Sequence, residues 1–201
     1  TLRDIFERQI CYWDCRPMPD DQRVVVSPAD SRLLVGSLRE VNALFLKGKF
    51  FDLVELLGLE RSRWTELFAE GQFAIFRLTP EKYHYNHTPV AGTVVDYYEV
   101  RGEYHACNPT ALVSGVTTLS KNTRHVTIID TDVAGGTGVG LVAMIEIVAL
   151  MIGGIEQRYS SQHYDHPAPI TPGMFLEKGC PKSLYHPGSS TDLVLFEPDR
   201  V

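Results

Sequence analysis

The residues with the clearest chemical potential are Gly188 and Ser189, set in Tyr185-His186-Pro187-Gly188-Ser189-Ser190-Thr191. A serine hydroxyl held in a tight turn can attack the peptide carbonyl just before it, cutting the chain and leaving an electrophilic ketone in place of the serine. Gly188 permits unusual backbone angles and close approach, and Pro187 stiffens the entry to the turn. Ser190 is a second candidate nucleophile, although the glycine directly before Ser189 favours Ser189. The competing reading is a plain hairpin turn ahead of the alternating run Asp192-Leu193-Val194-Leu195-Phe196.

Such an attack needs a base and a group to orient it. Tyr83-His84-Tyr85-Asn86-His87 lies between Thr79-Pro80 and Pro89, in a loop or at a strand end, and offers two imidazoles. Ser27-Pro28-Ala29-Asp30 ends a hydrophobic stretch with a carboxylate that can accept the Nδ1–H of a histidine and stabilise the imidazolium. The order acid, base, nucleophile is allowed because triads are defined by geometry. Two other readings compete. His84 and His87 together with His163 and His166 repeat an HxxH spacing and are numerous enough to hold a metal, since zinc takes three or four ligands. Alternatively these are polar loop histidines and a turn aspartate with no chemical role.

The elements that would carry these residues are legible in outline. Residues 1–23 read as a short helix and a connector with Pro17 and Pro19, and Val24–Val26 as a buried strand. Arg32–Leu38 and Val41–Leu46 alternate like a hairpin. Leu53, Leu56 and Leu57 have helical spacing behind Asp52 as N-cap, and Ser62–Glu70 reads as a second short helix capped by Ser62 and stopped by Gly71. From Phe73 the pattern changes to strands: Phe73–Leu78, Gly92–Val100, Val126–Asp130 and Leu141–Met151. Residues 156–172, polar and with three prolines, read as a long loop or lid. The expected architecture is one β-rich α+β domain over residues 1–201 with a small helical insert near residues 52–70.

Composition narrows the classes. A chain of 201 residues with 44% hydrophobic and 22% charged residues can bury a core without staples. The net charge of −6 argues against nucleic acid as a partner. Cys11, Cys15, Cys107 and Cys180 are too few and too scattered for a disulfide framework and read as reduced thiols in a cytoplasmic setting, with Cys180 of interest near the Gly-Ser step. The apolar run Val139–Ile155 contains Glu146 and is short for a bilayer span. The chain begins at Thr1, so any membrane anchor is expected in sequence outside it.

Several short pieces then fall in one order. These are Cys15-Arg16-Pro17 before Ser27-Pro28-Ala29-Asp30; Lys47-Gly48 before Glu55-Leu56-Leu57-Gly58; and Arg77-Leu78-Thr79-Pro80 leading to Tyr83-His84, His87, Pro89 and Gly92. Asn122-Thr123-Arg124 follows, and then Lys178-Gly179, Tyr185 and Gly188-Ser189. The series resembles the pyruvoyl-dependent phosphatidylserine decarboxylases over nearly the whole chain, the last piece matching the spacing of "KG…G.F..GS". The resemblance implies self-cleavage between Gly188 and Ser189, with Ser189 becoming a covalent pyruvoyl group at the head of a 13-residue fragment. It implies that Asp30 and His87 activate Ser189, and that His84 passes a proton to the product carbanion. The pyruvoyl ketone would condense with the amine of phosphatidylserine through a Schiff base, releasing CO2 and phosphatidylethanolamine. A homodimer and peripheral membrane contact are implied likewise. Relatives acting on free, including aromatic, amino acids keep a small amine-bearing carboxylate open as substrate. A non-catalytic relative that never cuts itself is a further alternative. Ser31, Tyr85 and Ser190 depart from the family pattern, and Tyr85 removes a cation suited to an anionic head group.

Overall fold

Alternating β-branched and aromatic residues build most of the molecule, and helices form where apolar residues recur every three or four positions. The computed structural model describes residues 1–39, 52–103, 118–148, 154–188 and 190–201. In chain order these form helices α1 (Leu2–Phe6) and α2 (Tyr12–Cys15), strand β1 (Arg32–Ser37), helices α3 (Leu53–Leu57) and α4 (Ser62–Phe68), and strands β2 (Gln72–Leu78), β3 (Tyr85–His87) and β4 (Gly92–Val100). Helix α5 (Thr118–Lys121) follows, then β5 (Arg124–Asp130), β6 (Leu141–Val148), β7 (Ile155–Gln157), β8 (Phe175–Leu176), β9 (Pro181–Tyr185) and β10 (Ser190–Phe196). This is the β-rich α+β architecture expected, with its helical insert in place.

Seven strands form one sheet in the order β1-β2-β10-β6-β5-β4-β8, and three form a second in the order β3-β9-β7. Strand alternation sends Ile145, Ile147, Leu193 and Leu195 to one face, where Leu56 and Leu57 of α3 and Trp64 and Phe68 of α4 cover them. Burying each such side chain stabilises the fold by about 1.5–3 kcal/mol. Val142, Val194 and Phe196 point to the opposite face and pack with Val90, Tyr159, Ile170 and Leu176. The small sheet lies on that second face, because β9 reaches β6 and β10 through Lys182 and Tyr185.

Local chemistry explains the helix ends. The Asp52 carboxylate accepts the Val54 N–H at 2.8 Å, as an N-cap should. Ser62 lies inside α4 rather than at its cap, a place taken by Arg61 without a side-chain bond. Gly71 follows α4, and a Cβ there would collide with the Phe196 carbonyl, so the close approach of chain to strand demands glycine.

Three further expectations change. Val24–Val26 is not a strand: Val26 is buried and donates its N–H to Pro89 O at 2.9 Å, while Val24 is exposed. The strand at Arg32–Ser37 exists, but it pairs antiparallel with β2, Arg32 opposite Arg77 and Ser37 opposite Gln72. Val41–Leu46, its expected hairpin partner, lies outside the described residues. Residues 156–172 open with the end of β7, which pairs with β9, and fold back through a bridge between Tyr159 and Ala168. Cys107 and residues 149–151 also lie outside the described residues.

Candidate functional site

The loop Ser27-Pro28-Ala29-Asp30 is hung beside β3, because the His87 N–H donates to Pro28 O at 2.7 Å. That bond brings Asp30 and His87 to one cavity of about 400 Å³, lined also by Tyr12, Arg16, Met18 and Tyr83. Their side chains do not bond each other. Arg16 grips Asp30 with a two-pronged pair, Nε to Oδ1 at 2.8 Å and Nη2 to Oδ2 at 2.6 Å. The guanidinium holds the Asp30 carboxyl below the usual carboxylate range against the opposing effect of burial. Asp30 is therefore an ionised acid engaged by a cation.

His87 is only 4% exposed. Its Nδ1 lies 2.7 Å from the Gly179 carbonyl, which can only accept, so the proton sits on Nδ1. Nε2 is then the acceptor for the Tyr83 hydroxyl at 2.9 Å, and that hydroxyl is 2.7 Å from the hydroxyl of Tyr164. Burial lowers the His87 pKa to about 4, with the bond to the Gly179 carbonyl and then the Asp30 charge pulling the other way. The imidazole is neutral at physiological pH, and both its nitrogens are engaged by groups other than the expected acid and nucleophile.

His84 has the opposite character. Its Nδ1 donates to Lys82 O at 2.8 Å, while Nε2 is buried without a partner. The Phe6 ring of α1 packs against it at a tilt, with centroids 4.2 Å apart. Burial lowers its pKa as well. An unprotonated buried nitrogen is a free lone pair, which is what a proton acceptor or carrier requires.

Strand register places the two histidines differently along β9. Tyr85 opposes Leu184, and the Tyr185 N–H donates to His84 O at 3.0 Å, so His84 lies at the end of β3 that faces the Gly188 turn. His87 opposes Pro181, three residues along β3 from His84, or roughly 10 Å of extended strand. Gly188 follows β9, and its approach is fixed by His186, whose N–H donates to Gly154 O at 3.0 Å and whose Nδ1 lies 2.7 Å from Glu7. Ser189 lies outside the described residues. Ser190 begins β10 opposite Leu78 and Val148, with its hydroxyl buried and unpartnered.

Cys180, flagged for its nearness to the Gly-Ser step, belongs instead to the His87 end, where its N–H donates to Thr88 Oγ1 at 3.2 Å. Burial pushes its thiol up to about 11, so it stays protonated. The four histidines of the metal reading do not gather. Among the described residues no three His, Cys, Asp or Glu side chains form a group that could hold a metal ion, and His163 packs at a tilt against Trp13 with centroids 3.9 Å apart.

Sequence reasoning passed over the groups that set these environments. Arg16 was visible only as part of a motif. A second set was not read as a pair: Glu146 and Lys182, fully buried and 2.7 Å apart, with Gln157 Oε1 also accepting from the ammonium at 2.8 Å. The available signal was a glutamate inside an apolar strand run and an aspartate heading another.

A family profile described as phosphatidylserine decarboxylase matches residues 2–201. Curated proteins named phosphatidylserine decarboxylase proenzyme are similar along the chain. That of Chlamydia trachomatis serovar L2 is 31% identical over 202 residues, covering 100% of this chain and 61% of that protein. The Fusobacterium nucleatum protein is 29% identical with the same coverage, and that of Bordetella avium is 32% identical over 200 residues, 94% of this chain and 64% of its own length. The chain thus spans about three fifths of the curated relatives it matches.

Proposed function

The chain belongs to the phosphatidylserine decarboxylase family, and from that premise we propose that it matures by cutting itself between Gly188 and Ser189 and then decarboxylates phosphatidylserine. The observation that carries the reading is the surroundings of this step. It joins β9 to β10 at the end of β3 next to His84, whose Nε2 is buried and free, while Asp30 and His87 share a cavity at the other end of β3.

In maturation the Ser189 hydroxyl oxygen attacks the Gly188 carbonyl carbon, and the Gly188–Ser189 C–N bond breaks. The acyl group has then moved to oxygen and the serine amine is free. Removal of the Ser189 α-proton expels Gly188 as a carboxylate and leaves a carbon–carbon double bond. Addition of water and loss of ammonia give the ketone, so atoms and charge balance. Asp30 and His87 are assigned to activate the hydroxyl. In that role Asp30 gives up its bond to Arg16 and His87 Nε2 exchanges Tyr83 for the serine hydroxyl.

The residues suit a pyruvoyl group at position 189. Ser190 Oγ and Asp192 Oδ2 are buried on the strand that would carry it and lack partners, so the setting is polar, as a ketone requires. When formed, that group supplies an electron sink for the bond to the departing carboxylate. His84 is assigned proton delivery to the carbon left behind: its free Nε2 first takes up the proton that the substrate ammonium sheds and then gives it to that carbon, a part its place at the turn supports. Burial keeps water from competing for that proton.

Family membership is also the support for a phospholipid substrate, a homodimer and a peripheral encounter with a lipid surface. No helix among the described residues is long and apolar enough to cross a membrane. Sedimentation and flotation with phosphatidylserine vesicles test the last two. The direct test of the site compares His84→Asn, His87→Asn and Asp30→Asn in the full-length protein, scoring fragment formation and CO2 release separately. The expected result is blocked cleavage in the latter two and normal cleavage without turnover in His84→Asn. Cleavage blocked by His84→Asn alone would exchange the roles of the histidines.

A further inference from the structure

Tyr185 ends β9, and its side chain is buried between the two sheets. The phenolic oxygen meets three groups: it accepts the Ile147 N–H at 3.1 Å, and it lies 3.1 Å from Thr191 O and 2.8 Å from Asp192 Oδ1. Ile147 belongs to β6, and Thr191 and Asp192 to β10, adjacent strands in the large sheet. One oxygen therefore ties the last residue of β9 to both strands. Tyr185 precedes the Gly188–Ser189 bond and Thr191 and Asp192 follow it, so the bonds fix both ends of the segment that contains the scissile peptide. Fixing the ends of so short a segment removes most of its conformational freedom.

Counting hydrogens sharpens the picture. A phenol has one hydrogen, yet both Thr191 O and Asp192 Oδ1 face it. An ionised Asp192 would leave one acceptor unfilled and a buried negative charge directly across from Glu146 in the strand register. A neutral Asp192 donates to the phenol, the phenol donates to Thr191 O, and every hydrogen has a place. Burial, reinforced by the Glu146 charge, raises the Asp192 carboxyl well above its usual range in agreement with that count. Glu146 itself stays ionised against Lys182 at 2.7 Å.

We propose that Tyr185 and Asp192 form a positioning clamp for maturation, holding the turn so that the Ser189 hydroxyl is presented to the Gly188 carbonyl. The inference rests on the self-cleavage reading, and the covalent steps are those written above. Neither residue is assigned contact with the reacting atoms.

The test follows conversion of pulse-labelled full-length precursor into its two fragments during cell-free synthesis. Wild type is compared with Tyr185→Phe/Asp192→Leu, which replaces both partners by apolar groups and so leaves neither orphaned, and with Asp192→Asn, which keeps one donor and one acceptor. Thermal melts of the same changes on a Ser189→Ala background report folding without cleavage. The expected result is wild-type cleavage in the asparagine variant and cleavage slowed roughly tenfold or more in the double variant at little change in melting. Should the double variant melt far lower, Tyr185→Phe alone takes its place in the comparison. Wild-type cleavage in the variant lacking the hydroxyl overturns the clamp alone, as does an asparagine variant as slow as the double. A wild-type chain that never cleaves overturns the self-cleavage reading and the clamp with it.

Discussion

Burial sets the charge of His87, and that has a consequence for stability as well as chemistry. The unfolded chain titrates this imidazole at 6.5, whereas the folded protein holds it at about 4. Between those values the unfolded state binds more protons than the folded state, so stability rises with pH through the window. The contribution is complete above pH 6.5 and is lost as pH falls through about 4; at its full size it amounts to roughly 3 kcal/mol. Melting temperature should therefore fall from pH 7 to pH 4 in wild type and fall less steeply in His87→Asn. Burial pushes His84 and His125 in the same direction, so part of the slope remains in that variant. A second expectation concerns Arg16. Releasing its two bonds in Arg16→Ala returns Asp30 toward an ordinary carboxylate, and the cleavage rate of the precursor should rise. An unchanged or slower rate would show that the pair supports the loop rather than restrains the acid.

At the scale of elements, β9 is bound to the large sheet by charge as well as by packing. Lys182 is fully buried, and among the described residues Glu146 and Gln157 compensate its ammonium for lost hydration. Lys182→Met leaves Glu146 buried without its cation and should cost about 3–5 kcal/mol in urea unfolding. Pairing it with Glu146→Leu should restore most of that loss, because no charge is then stranded. The same strands show what a sequence reveals. Helix α3 was legible because Asp52 caps a run with helical apolar spacing, both of them local signals. The partner of β1 was not, since alternation in Arg32–Ser37 marks a strand without naming its neighbour, and β2 lies 35 residues beyond the end of β1 at Ser37. Asp30, His84 and His87 stood out as polar residues fenced by prolines. The grip of Arg16 on Asp30 did not, because two residues 14 apart with no periodic relation meet only once the chain folds.

At the scale of the whole molecule, the placement of β10 decides what cleavage does to the fold. Ser190–Phe196 runs between β2 and β6, paired along its length on both sides, and every residue of it is buried. Cutting the peptide just before this strand removes no ladder bond and exposes no core. The two fragments should therefore migrate as one species in native gel filtration and separate only in denaturant; release of the smaller one under native conditions would contradict this arrangement. The most direct measurement of self-cleavage is denaturing intact-mass analysis of purified full-length protein beside its Ser189→Ala variant. The expected result is a fragment that begins at residue 189 with a keto group in place of its amine, together with an uncut variant. A wild-type chain that stays whole, or one cut at any other bond, would contradict it.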